Sequence, residues 1–378
     1  MRGETSVDTV VVGAGIVGAA AAYQLARRGR SVLICEQFEL DHVYGSSHGR
    51  SRIFRLAYDQ PDYTRLAQMA LPLWRELERE AKAELLVTVG GLDLGPREVL
   101  EPIAETLADA GASYEWLDRQ QLSKRFEWVH TPDEWVGILQ PDGGVLRARR
   151  AVKTLIELAK QHGAQVCENT RAVGIVRMRD GAGVETDEGA FYAGQVVVAA
   201  GAWANDLLDS VELHVPITVT REHVAYYARN EADSVVPFIW HPGGDGTEYY
   251  GLPNLREETV KLGQHGGGPE VNPTEDGNLD PERIRALDEF VSANLHGVRN
   301  HPEMAETCLY ASTPDDDFVI DRVGPVILAV GFGGHGFKFG PSVGALVADL
   351  VEGRSIPFSG RFSRSRFEER VLQGANAG

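Results

Sequence analysis

A chain of 378 residues exceeds what one hydrophobic core ordinarily fills, so two domains sharing a cleft are expected. With 43% hydrophobic and 24% charged residues it has the composition of an ordinary soluble globular protein. A formal charge of −18 excludes an extended nucleic-acid surface, although a local cationic pocket can sit inside an acidic shell.

The cysteines, Cys35, Cys167 and Cys308, are widely spaced and include no C-x-x-C. Neither a disulfide framework nor a metal site is expected, and a reducing cytoplasm fits. The uncharged run over residues 9–26 carries glycines at 13, 15 and 18, which weaken a membrane helix. Arg27, Arg28 and Arg30 follow that run, whereas a signal peptide carries its charge ahead of it. No membrane association is expected.

Residues 8–36 read as a β-branched strand, a turn with Gly13, Gly15 and Gly18, an alanine-rich helix, and a second apolar strand ending in Glu36. This is the strand-turn-helix-strand order of a dinucleotide fold. Gly13 permits the tight turn, Gly15 lets backbone N–H groups approach a pyrophosphate, and Gly18 lets helix and strand pack closely. Glu36, 18 residues past Gly18, is the expected ribose acceptor. This stretch alone leaves FAD and NAD equally open.

Downstream, Ser46, His48, Arg50, Arg52 and Arg55 crowd a Gly/Ser loop that leads into an apolar strand or turn. Such basic density in an acidic chain points to an anionic cofactor or a substrate carboxylate. Helical spacing follows over residues 63–83, then a strand pair over 85–94, a helix near 98–110, and strand-like residues 135–146 interrupted at 141–144. These read as an inserted α/β domain. A helix over 151–162 and strands at 164–168, 171–179 and 183–187, the second carrying Val173, precede a buried parallel-type strand ending at Gly201 and Trp203. There the nucleotide domain resumes.

Residues 214–266 alternate as strands, read as a mostly antiparallel sheet. A surface loop follows, then a helix over 281–295 capped by Asp280. The last third has a strand at 326–330, then Gly331, Gly333, Gly334, Gly336 and Lys338 ahead of a helix. This third glycine turn, with Lys338, can stabilise negative charge developing on a flavin, which a nicotinamide does not require. The chain holds six lysines (82, 124, 153, 160, 261 and 338) against 31 arginines, so Lys261 and Lys338 are candidates for roles that guanidinium cannot fill.

Four stretches together resemble the monomeric sarcosine oxidase and N-methyltryptophan oxidase family of FAD enzymes: residues 13–36, 47–58, 250–265 and 308–338. The Cys-x-Tyr-x-x-Thr-Pro-Asp run from Cys308, followed by Gly-Phe-x-Gly-His-Gly-Phe-Lys ending at Lys338, is the specific part. The resemblance implies FAD held as a thioether through Cys308. It implies a substrate-carboxylate clamp of Arg55, Lys338 and Tyr310, with His265 and Tyr250 lining the pocket. It also implies an oxygen-activating Lys261, with Arg52 and His48 adding positive potential beside the flavin. Ser46, Val173, Gly201, Trp203, Gly333, Gly334 and Gly336 complete the implied cofactor contacts. The sequence departs from the group's pattern at Arg50 and Ser51, which leaves substrate size open.

The expected architecture is an α/β two-domain flavoprotein. A discontinuous Rossmann-type FAD domain spans 1–85, 148–212 and 312–378, and a mostly antiparallel substrate domain spans 86–147 and 213–311. The expected activity is oxidative demethylation of sarcosine or another small N-methyl amino acid by O2, by a cytoplasmic monomer. The alternatives are an oxidase of N-methyltryptophan, D-amino acids or glycine, an amine dehydrogenase with another acceptor, and a non-catalytic flavin-binding module.

Overall fold

The opening apolar run forms strand β1 (Ser6–Val12), helix α1 (Ile16–Arg27) and strand β2 (Val32–Cys35). This is a computed structural model, and it describes residues 6–229, 235–255 and 258–368. Ala19 to Ala22 on α1 are fully buried, and since four consecutive residues circle the helix, α1 is covered on all sides.

The chain continues through β3 (Ser51–Phe54), α2 (Pro61–Ala81), β4 (Leu86–Thr88), β5 (Gly91–Gly95), α3 (Arg97–Asp109), β6 (Glu115–Leu117), α4 (Arg119–Arg125), β7 (Val136–Gln140) and β8 (Gly144–Arg147). Helix α2 starts at a proline, whose fixed φ suits a first turn, and ends at Lys82 in a left-handed conformation with φ 50°. Its buried face is Leu66, Ala70, Trp74 and Leu77, the three-four spacing read from the sequence.

Glu78, one turn before the end of α2, ties the helix to the next strand. Its Oε1 accepts from the N–H groups of Leu85 and Leu86 at 2.7 and 2.9 Å, and its Oε2 accepts from Arg75 at 2.7 Å. Burial pushes this carboxyl up, but those donors outweigh it and hold it below its ordinary value of 4.5. A depressed folded-state pKa gives stability that is present above 4.5 and lost as pH falls through the folded value. Glu78→Ala is therefore expected to cost about 1–3 kcal/mol in urea unfolding at pH 7, and less as the pH drops below that window.

Next come α5 (Ala148–Gln161), β9 (Gln165–Cys167), β10 (Ala172–Met178), β11 (Gly181–Thr186), β12 (Gly189–Val198), α6 (Ala204–Asp209), β13 (Thr218–Arg229), β14 (Phe238–Trp240), β15 (Tyr249–Asn254) and β16 (Thr259–Gln264). The chain then passes through α7 (Pro281–Asn294), β17 (Val298–Ser312), β18 (Val319–Val323), β19 (Val326–Val330), α8 (Gly340–Val351) and α9 (Ser359–Phe362). Asp280 caps α7 through the N–H of Glu282, as its position ahead of Pro281 predicts.

The described residues fall into two compact units. One comprises the chain up to His48, Arg149–Val219, and the chain from Leu309 on; the other comprises Gly49–Ala148 and Thr220–Cys308. Residues 49–85 therefore belong to the second unit, not to the dinucleotide domain as the sequence suggests, because β3 pairs with β8 and β8 with β4 inside that unit. Residues 213–219 and 309–311 move the other way. The strand pair expected over 85–94 is also no hairpin: β4 joins β8, while β5 joins β7 and β14.

In the first unit, β12, β1, β2 and β9 run parallel, β19 adds in parallel to β12, and β11 pairs antiparallel to it. The buried apolar runs Val10–Val12, Val32–Cys35, Val196–Val198 and Val326–Val330 suit a sheet covered on both faces. Helices α1 and α8 touch backbone to backbone: a Cβ on Gly344 would stand 2.6 Å from the Ala20 carbonyl carbon.

The second unit is built on an eight-stranded sheet, β17-β13-β16-β15-β14-β5-β7-β6. All neighbours with a described register are antiparallel except β14 and β5. The registers give it two unlike faces, since alternate residues point opposite ways. Leu92, Leu94, Ala225, Tyr227, Phe238, Trp240, Val260 and Leu262 pack with Phe290 and Val291 of α7 in one apolar core. The opposite face takes the intervening positions: Asp93, Tyr226, Tyr250 and Lys261 are register partners of Ile138, Lys261, Ile239 and Leu252 there.

Candidate active site

Candidate site residues occur in both units. In the first unit, β1 delivers the chain into the glycine turn. Gly13 has φ +102°, and a Cβ there would lie 2.5 Å from the Ala199 carbonyl oxygen. A Cβ on Gly18 would lie 1.9 Å from the Gly13 oxygen, so helix and turn meet at a distance only glycine allows. Gly15 is the N-cap of α1, and the next residue, Ile16, donates its N–H to Ser47 Oγ at 3.0 Å.

Glu36 is buried and accepts from the N–H of Ala14 at 2.8 Å and of Phe38 at 3.1 Å. The acid is thus fixed at the lip of the turn. Glycines without a Cβ, a twelve-residue helix beginning at the turn, and a carboxylate at the end of β2 together fit a dinucleotide, with its pyrophosphate at the helix N-terminus.

Ser46 Oγ donates to the Leu309 carbonyl at 2.5 Å, and both ring nitrogens of His48 are buried. Beyond β12, Gly201 (φ +55°) opens a short 3-10 turn ending at Trp203, whose ring meets Phe38 with centroids 5.6 Å apart. Val173 on β10 is 52% exposed, so its side chain packs into no core. After β19, Gly331 and Gly333 take positive φ, and the Gly333 N–H donates to the Ala311 carbonyl at 3.0 Å. The Tyr310 ring lies against this turn, since a Cβ on Gly334 would stand 2.2 Å from its Cε2. Phe332 crowds Gly336 in the same way, at 2.5 Å. Lys338 is buried, with Nζ donating to the His335 carbonyl at 2.7 Å.

In the second unit the polar sheet face carries two clusters. The first centres on Lys261 of β16, 4% exposed, with Nζ 5.7 Å from the centre of the Tyr226 ring. Burial and the positive charge of Arg52 push its ammonium down to about 7, against the opposing pull of Cys308 and Glu306. Tyr226 donates its hydroxyl to Glu306 at 2.5 Å. Gly49 (φ +88°) closes over the group: a Cβ there would be 3.2 Å from Glu306 Oε1 and 3.4 Å from Arg52 Nη1. Arg52 also donates to the Ser51 carbonyl at 2.9 Å.

Cys308 shares the parity of Glu306 on β17, while Ala305 packs into the apolar core on the other side. Burial pushes the Cys308 thiol up; Arg52 and Lys261 pull it down without prevailing. The cations expected around a reactive cysteine are present, but they do not by themselves make it a thiolate.

The second cluster surrounds Arg55. Its Nη1 donates to the Ala57 carbonyl at 2.5 Å and reaches Asp93 Oδ1 at 3.3 Å, while the guanidinium lies 4.3 Å from the Tyr58 ring centre. His241 Nε2 meets the same Asp93 oxygen at 2.9 Å, and its Nδ1 meets Glu248 Oε1 at 2.8 Å. Tyr250 lies over Gly263, where a Cβ would be 2.6 Å from its hydroxyl oxygen. The His265 N–H donates to the Glu248 carbonyl at 2.9 Å.

The second unit thus brings Arg52, Lys261 and Cys308 into one cluster, with Arg55 and Tyr250 elsewhere in the same unit. Sequence reasoning missed Tyr226, Glu306, Asp93, His241 and Glu248. One signal was available: an acid midway along the apolar strand Gly-Leu-Asp-Leu-Gly needs a buried partner.

Residues 8–350 match the FAD dependent oxidoreductase family, and the chain belongs to it. It is an FAD-dependent oxidoreductase with the mixed α/β, two-domain fold of that family. The chain is 32% identical over 361 residues to monomeric sarcosine oxidase of Bacillus sp. (strain NS-129), covering 92% of this chain and 93% of that one. It is 31% identical over 382 residues to N-methyl-L-tryptophan oxidase of Escherichia coli O157:H7, covering 96% and 99%. Among solved structures, NikD, an unusual amino acid oxidase essential for nikkomycin biosynthesis, superposes with a TM-score of 0.84 at 29% identity, over 95% of this chain and 97% of that one. The resemblance read from the sequence is borne out at the level of family. Among the described residues, no helix is long and apolar enough to cross a membrane.

Proposed function

We propose that the chain oxidises small N-methyl amino acids, with sarcosine the type substrate, acting as a cytoplasmic monomer. In the balanced reaction, R–NH–CH3, O2 and H2O give R–NH2, formaldehyde and H2O2. FAD, when bound, accepts two electrons from the amine and passes them to oxygen.

The chain's residues take the remaining tasks in this reading. The first unit holds the nucleotide portion through its glycine turn and Glu36, and Cys308 tethers the flavin. Arg55, Lys338 and Tyr310 bind the substrate carboxylate, a charge-assisted grip that fixes the amine for reaction. His265 and Tyr250 line the pocket. Arg52 and His48 supply positive potential, which lowers the pKa of the bound secondary amine so that it loses its proton without a dedicated base.

Lys261 is the observation that carries the oxygen half of the reading. It is a buried amine beside Arg52, held near neutrality at about 7, on the sheet face that also bears Tyr226. The first electron transferred to O2 makes superoxide, and a fixed cation in a dry site stabilises it. Such a group favours oxygen over another acceptor in this reading.

Two measurements test the proposal. Peroxide release over sarcosine, N-methyltryptophan, proline, glycine and D-alanine is expected to be fastest for sarcosine. Bleaching by none of them overturns the function, and bleaching followed by slow recovery in air points to a dehydrogenase. On acid precipitation the yellow colour is expected in the pellet, moving to the supernatant in Cys308→Ser. Flavin released from the unaltered protein removes the tether.

A further inference from the structure

We propose that Asp93 and His241 are positioning residues that keep the Arg55 guanidinium available to a substrate carboxylate. This rests on the carboxylate-binding role given to Arg55 above. Asp93 is 2% exposed, on the polar face of the sheet, and one of its oxygens serves two cations. That oxygen lies 2.9 Å from His241 Nε2 and 3.3 Å from Arg55 Nη1. The shorter contact belongs to the imidazole, so Asp93 spends most of its charge there, and its grip on the guanidinium is loose.

The protonation state of His241 follows from its partners. Both ring nitrogens face carboxylate oxygens, Asp93 on one side and Glu248 on the other, and ionised carboxylates only accept. Both nitrogens must therefore donate, which makes the ring an imidazolium. Burial pushes His241 down, but the hydrogen bonds and charges of Asp93 and Glu248 outweigh it and hold its pKa above the ordinary value of 6.5. Glu248 is pushed up by burial and more than brought back by His241, His265 and Arg55, so it stays ionised where His241 titrates.

The row therefore alternates in sign: Arg55, Asp93, His241, Glu248. Removing the imidazolium charge leaves Asp93 with one cation to satisfy, and the guanidinium turns inward to it. An incoming carboxylate must then break a full buried ion pair, where before it displaced only a long contact. Because the folded-state pKa of His241 is raised, the favourable arrangement exists below that pKa and is lost as pH rises through it. Among the described residues, Tyr58 and Asp59 also act on Arg55, and His265 acts on Glu248. Tyr58 is pushed up by burial to about 12, clear of the window.

The test measures binding, not turnover. Methoxyacetate has the shape of sarcosine with an ether oxygen in place of the amine, and its affinity for the holoenzyme can be followed by calorimetry from pH 5.5 to 9. Its Kd is expected to rise about tenfold or more across the His241 titration; His265→Gln, which alters the pocket wall and shifts the Kd itself, should keep that pH dependence. In His241→Gln the Kd is expected to be high and flat with pH. Adding Asp93→Asn to that variant should restore affinity to within about threefold of the unaltered protein, because the competing carboxylate is gone. A purely structural role predicts the opposite, since the double variant would be the worse of the two.

A pH-independent Kd in the unaltered protein overturns the inference without any variant. So does a double variant no better than His241→Gln. If the holoenzyme binds no methoxyacetate and is reduced by no N-methyl amino acid, the proposed function falls and takes this inference with it. Tight binding that Arg55→Gln abolishes, with His241→Gln unchanged, leaves the function standing and removes the positioning role alone.

Discussion

Replacing Lys261 by Met should leave reduction by the amine nearly intact while slowing reoxidation by air at least about a hundredfold, roughly the loss of one oxyanion-type donor. Methionine fills a similar volume, so the contact with Tyr226, 5.7 Å from Nζ to ring centre, can persist without the charge. Anaerobic and aerobic stopped-flow separate the two half-reactions, and unchanged oxygen kinetics would refute the role.

Stability should move the other way. With a folded-state pKa of about 7 against an ordinary 10.5, the unfolded chain holds a proton that the folded chain releases between those values. That contribution raises stability as pH rises through the window, which means the charged amine is a burden below it. An apolar replacement is therefore expected to raise Tm at pH 6 while oxygen reactivity collapses. A simple packing defect would lower both.

Gly18→Ala should have the largest effect on the cofactor. The added methyl carbon would stand 1.9 Å from the Gly13 carbonyl oxygen and 3.0 Å from its carbon, and both are backbone atoms of the turn. Neither can step aside as a flexible side chain does, so α1 must retreat from the turn or the turn must open. Overpacking of this kind costs about 1–3 kcal/mol, roughly 2–10 °C in Tm for a domain of this size. Displacing the turn also spoils the pyrophosphate site, and the purified variant is expected to carry less than about a tenth of the normal flavin. Gly360→Ala, where nothing lies within 4 Å of the added carbon, is the matched control and should stay yellow and stable. Full flavin content in Gly18→Ala would mean the turn does not hold the cofactor.

The parts legible from the sequence are those whose causes are local. The turn from β1 to α1 depends on glycines within six residues, and the two-residue offset between Tyr250 and Leu252 already sets which side chains share a face. What escaped the reading depends on partners far along the chain. Residues 49–85 look like a continuation of the nucleotide domain until β3 is seen to pair with β8, almost a hundred positions later. The fifteen-residue β17 mixes apolar residues with charges at Arg299, Glu303 and Glu306 and carries Pro302, so its alternation is too weak to mark a strand. His241 gains its meaning only through Asp93, 148 residues earlier, which no spacing rule connects.

The pairing of α1 with α8 bears on how the protein is made. Ala20 leaves the ribosome more than three hundred residues ahead of Gly344, where a Cβ would meet the Ala20 backbone, and of Gly340, where a Cβ would meet the Ile16 side chain. At bacterial or eukaryotic elongation rates that interval is on the order of tens of seconds. Throughout it the side of α1 that bears Ile16 and Ala20 lacks its cover, so chains truncated before α8 are expected to make poor soluble fragments.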